Sequence, residues 1–99
     1  MDIEVQEMFE TCKEMLEEED FTWAWGCSTE LIERDPTFAG GYVQRATAGL
    51  HLGKELNELL GDIDTALKLQ SDYAPAYYVH FVAVWARTGQ EYLLSLIHI

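Results

Sequence analysis

The chain has 99 residues, nearly half of them apolar, and its 18 acidic side chains outnumber six basic ones for a net charge of −12. That length suits one small domain, and the charge balance argues against nucleic-acid or anionic-membrane binding, which need basic surface. Two cysteines are too few for a disulfide scaffold. No segment approaches the ~20 apolar residues of a membrane span, and the acidic N-terminus lacks the apolar run of a secretory signal. These features predict a cytoplasmic protein.

Residues 2–18 predict a first helix, because Val5, Met8, Phe9, Cys12, Met15 and Leu16 recur at three- and four-residue spacing. Asp2 suits its N-cap. Glu17, Glu18, Glu19 and Asp20 oppose the negative end of a helix, so the break falls there. Residues 21–34 predict a second helix with Phe21, Ala24, Trp25, Ser28, Leu31 and Ile32 on one face, and Asp35-Pro36 ends it. The link between the two is short, which predicts an antiparallel hairpin.

Residues 38–52 predict a third helix with Tyr42, Val43, Ala46 and Leu50 on its stripe. Gly40 and Gly41 weaken its first turn, and Gly53 is a natural stop. A fourth helix over about 55–69 has the clearest stripe, from Leu56 through Leu59, Leu60, Ile63 and Ala66 to Leu67. Gly61 inside it costs about 1 kcal/mol relative to alanine. The fifth, about 73–88, has almost no polar face and so expects cover on more than one side. It ends at Thr88-Gly89, and Gln90 to Ile99 would begin a sixth.

Asp35 to Ser71 leads back to its own beginning, since Ser71-Asp72-Tyr73-Ala74-Pro75 restates Asp35-Pro36-Thr37-Phe38 in outline. Tyr42 and Tyr77 each open a first helix. Ala46 stands four residues after Tyr42, with Cys12 and Met8 in the matching places of the first unit. Gly53 and Gly89 sit at turns, Ala24 and Ala66 hold small positions, and Asp35-Pro36 closes a unit. Over residues 5 to about 92 this pattern resembles the tetratricopeptide repeat, a helix pair of about 34 residues. The sequence departs from that pattern at Leu59, where alanine is usual, at Gly49, where an aromatic is usual, and in the spacing of the second and third units.

The resemblance implies an all-α fold of antiparallel helix-turn-helix repeats stacked as a short right-handed α-solenoid, five helices plus a C-terminal stub. The units are 2–36, 37–71 and an incomplete 72–93, within one domain over 1–93. Leu94-Ser95-Leu96-Ile97-His98-Ile99 resembles the translation, in one frame, of a transposon end used in sequencing adapters. This implies a non-native tail over 94–99 and a truncated N-terminal fragment of a longer protein.

Enzymatic constellations are sparse. His51 and His80 have no i,i+4 partner of the kind zinc sites use, and no cofactor-binding glycine loop or nucleophile elbow is present. Cys12 and Cys27 fall on facing helices. They read as small packing residues, with a redox pair as the alternative. By the resemblance, first helices line a concave groove, which would hold Phe9, Lys13, Leu16, Val43, Thr47, Leu50, His51, Tyr78, Val82 and Trp85. Such an apolar groove suits a peptide or partner helix, although Tyr78 and Trp85 equally suit packing against further repeats. The expectation is a non-catalytic protein-binding scaffold without cofactor or metal. The alternatives are the repeat segment of a longer enzyme or regulator, and a module that self-associates through the fifth helix.

Overall fold

A computed structural model describes residues 2–89. Five α-helices follow in order: α1 (Ile3–Glu17), α2 (Phe21–Arg34), α3 (Ala39–Leu52), α4 (Leu56–Leu69) and α5 (Ala74–Val84). A π-helical turn, Trp85–Gly89, continues α5. The sequence places these boundaries within one residue, except that it reads α5 as α-helical through Thr88. The expected sixth helix and the adapter-like tail lie outside the described residues.

Local chemistry accounts for the ends. The Asp2 carboxylate accepts the Glu4 N–H at 2.9 Å and caps α1. The link to α2 turns at Glu19, whose φ of 62° is left-handed. The corresponding link after α3 turns at Gly53, φ 79°, where the absence of a Cβ makes that conformation free of strain. Pro75 sits in the first turn of α5, where a missing N–H costs nothing.

Each helix packs on the next, and α3 also touches both α1 and α5. This is an all-α helical-repeat arrangement. The repeat is visible bond by bond at the two turns between hairpins. Asp35 N–H donates to Leu31 O and Gln70 N–H to Ala66 O, both at 2.9 Å. Phe38 N–H donates to Asp35 O and Tyr73 N–H to Gln70 O, both at 3.2 Å. The phenol of Tyr42 donates to Pro36 O at 2.8 Å, and that of Tyr77 to Ser71 O at 2.7 Å. Each member of these pairs stands thirty-five positions from its counterpart. The buried residues of α2 and α4 keep the same step: Ala24, Ser28 and Leu31 answer to Leu59, Ile63 and Ala66.

The core has two clusters. Ala39, Val43, Ala46, Ile63, Ala66, Ala76 and Val79 join α3, α4 and α5. Val5, Cys12 and Leu31 join α1 to α2, with Met8, Phe9 and Phe38 packed around them.

The structure extends one expectation from sequence and corrects another. Gly40 and Gly41 do more than weaken a helix start. A Cβ at Gly41 would lie 3.2 Å from Ile32, and one at Gly40 would lie 2.7 Å from Phe9. Their bareness lets α3 approach the first hairpin closely. Cys12 and Cys27, read as separate packing thiols, are joined in a disulfide across α1 and α2, with Cα atoms 5.6 Å apart. That distance is within the range a disulfide spans.

Two of the departures from the repeat pattern, Leu59 and Gly49, prove to be one feature. Leu59 is fully buried, and a Cβ on Gly49 would come within 2.7 Å of its Cδ2 and 2.9 Å of Trp25. The large residue on α4 fits because the facing residue on α3 is glycine. Volume is conserved across the contact rather than at each position.

Candidate functional site

Because α3 touches both α1 and α5, the first helices of successive units lie side by side. Nine of the ten residues predicted from sequence are left at least partly open on them. Lys13, His51, Tyr78 and Trp85 are exposed, and Leu16, Thr47, Leu50 and Val82 are half-buried.

Phe9 is half-buried as well, and Val43 is the one that is closed off. Val43, only 6% exposed, belongs to the interior between α3, α4 and α5 and offers no groove surface. Phe9 is half-buried edge-on to Phe38 with ring centroids 5.2 Å apart, and its carbonyl accepts the Gln44 amide at 2.9 Å. Sequence periodicity marked both as apolar but could not say which side of the helix a neighbour would cover.

Three more make specific contacts of their side chains or backbone. The His51 ring stacks on Phe21 of α2, with centroids 4.1 Å apart and planes within 4°. The Leu50 carbonyl accepts from the Arg87 guanidinium at 3.1 Å, tying the π-helical turn back to α3. The Thr47 hydroxyl donates to Val43 O at 2.8 Å, so it is turned onto its own helix.

A polar cluster that the sequence did not reveal locks this face from behind. Arg45 of α3 grips Asp62 of α4 through two bonds, at 2.9 and 2.8 Å. The carboxylate bonds hold the guanidinium pKa above its ordinary value, against the opposing effect of burial. Arg45 also lies over the Trp25 ring at 5.6 Å, and the Lys54 ammonium lies over the same ring at 4.8 Å. An indole face attracts cations through its quadrupole, so Trp25 links the two hairpins electrostatically as well as by contact. No local spacing signals this cluster, since its members come from three helices and a loop.

Surface clefts occur among the described residues, two of them beside exposed aromatic side chains. One, of 550 Å³, lies between α1 and α2 and is lined by those two helices alone. Met8 and Met15 line it, Trp23 stands 68% exposed beside them, and Glu7 and Glu30 are at its rim. The other, of 330 Å³, runs along α5 and its π-helical turn beside His80, Phe81, Val84 and Trp85. Of the predicted groove residues, Trp85 lines one of these two clefts.

Compared with protein-family models and with curated proteins, the chain matches none. No helix among the described residues is long and apolar enough to cross a membrane.

Proposed function

We propose that this chain is a non-catalytic scaffold of the tetratricopeptide kind, which holds a peptide or partner helix against the row formed by α1, α3 and α5. The observation that carries the reading is the set of apolar side chains left partly open along adjacent first helices: Leu16, Leu50, Val82 and Trp85, with Tyr78 exposed beside them. Apolar and aromatic side chains in such a row supply desolvated anchors. Lys13 and His51 supply polar contacts at its edge.

The thirty-five-residue recurrence of turn hydrogen bonds supports the repeat assignment, and the Gly49–Leu59 exchange explains the main departure from the repeat's usual residues. On the sequence features we place the protein in the cytoplasm. Thiols there are kept reduced, so the Cys12–Cys27 bond is the form taken under oxidation.

The test is selection of displayed peptides on the immobilised chain, followed by calorimetric titration of the winners. Leu50→Glu should weaken binding by about tenfold or more while circular dichroism is unchanged. Equal affinity for the variant and the parent would sink the assignment.

A second reading, self-association through α5, has its own observation. Tyr77, Tyr78 and Phe81 are 54%, 70% and 67% exposed on one short helix. Sedimentation velocity over a concentration series decides it: the parent chain should associate and Phe81→Glu should not. A monomer at every concentration removes this reading.

A further inference from the structure

We propose that the cleft between α1 and α2 receives a lysine or arginine side chain from an amphipathic, basic partner segment. It is a second binding surface, separate from the row on α1, α3 and α5. Its floor is apolar and polarizable, formed by Met8 and Met15, both half-buried. Trp23 also lines it and is 68% exposed. Glu7 and Glu30 stand at its rim from opposite helices, and no lysine or arginine lines it.

A basic side chain suits each of these parts. Its methylene stem covers the methionines, its cationic head lies over the indole, and its N–H groups donate to the carboxylates.

The molecule already uses both halves of this arrangement elsewhere. Trp25, two positions along α2, carries Arg45 and Lys54 over its ring. Glu4, at the same cleft, is paired with Arg34. Trp23, Glu7 and Glu30 are the same chemistry left facing outward.

The field around the cleft selects the sign of the partner. Residues 1–38 carry twelve acidic side chains against Lys13 and Arg34. Such a surface speeds the approach of a cationic segment and disfavours an acidic one.

The experiment titrates the ¹⁵N-labelled chain with an amidated peptide alternating leucine and arginine, and in parallel with one alternating leucine and glutamate. The arginine peptide should shift the Trp23 indole N–H and the Gly26 amide, and added salt should weaken it. The double variant Glu7→Gln/Glu30→Gln, both sites being exposed, should lose about tenfold in affinity. Trp23→Ala should lose a similar factor.

Any of four results of the peptide titrations overturns the proposal. These are shifts centred on Leu50, His51 and Tyr78 instead, equal binding of the glutamate peptide, unchanged affinity in the double variant, or no shift at Trp23 up to millimolar peptide. Concentration-dependent shifts at Trp23 without peptide would assign the cleft to a second copy of the chain, and would also overturn it.

Discussion

The two complete hairpins, α1–α2 and α3–α4, carry different clamps at one matching position on their second helices. Asp62 stands thirty-five positions after Cys27, as Leu56 stands after Phe21. In the first hairpin Cys27 is bonded to Cys12, whereas in the second Asp62 is gripped by Arg45. The same helix pair thus accepts a covalent clamp or an ionic one. The geometry decides where a clamp can act, and the residue decides what undoes it. One hairpin answers to reductant and the other to salt.

The sharpest break of that comparison is in the second hairpin's core. Leu59→Ala should cost about 2–5 kcal/mol in urea unfolding, because it empties a fully buried position. Gly49→Ala should cost about 1–3 kcal/mol by overpacking the same contact. The two changes together should cost less than their sum, since one makes the space the other needs.

Next comes the first hairpin's clamp. Reduction, or Cys12→Ser with Cys27→Ser, should remove about 3 kcal/mol, the entropy of closing a loop of this size. The sequence separation of the two cysteines is 15. Unfolding curves with and without dithiothreitol measure the loss, and reductant should leave the double variant's curve unmoved.

Asp62→Asn should cost about 1–2 kcal/mol, between the values for exposed and buried pairs. The side chains of Arg45 and Asp62 are 25% and 13% exposed. Parent and variant stabilities should converge as salt is raised, more weakly than for a fully exposed pair.

The smallest effect concerns the turns. Asp35 accepts the Thr37 hydroxyl at 2.6 Å and its N–H at 3.1 Å. These bonds hold its pKa below the ordinary 3.8. The folded state therefore prefers the charged form. The contribution is present above the ordinary value and is lost as pH falls through the lowered one. A carbon-detected titration of the Asp35 carboxyl should place its midpoint below that of a free aspartate. Thr37→Ala should move it back. Gln70, at the equivalent place in the next turn, carries no charge, so this contribution of Asp35 has no counterpart at that position.

Much of the architecture was legible. Helix starts and stops follow from Asp2, Asp35-Pro36, Gly53 and Pro75, whose effects act within one turn of backbone. The clear stripe of α4 announced its buried face. The site was legible only in part. Lys13, Leu16, Leu50, His51 and Tyr78 lie on first helices with some surface free, but Val43 was claimed by the core and Phe9 by Phe38. Periodicity names an apolar face without naming what covers it. Nothing local marks Asp62 and Arg45, because their pairing needs a neighbour seventeen residues away. The α1–α2 cleft likewise needs Met8 and Trp23 from different helices.

By itself, then, the sequence determined five helices, their ends and a recurrence near thirty-five residues, because these depend on local propensity, capping and spacing. Tertiary structure decided the rest. It joined Cys12 to Cys27, matched Gly49 to Leu59, placed two cations on Trp25 and left Trp23 open. Each of these rests on side chains meeting across helices, and no single stretch of chain contains both partners.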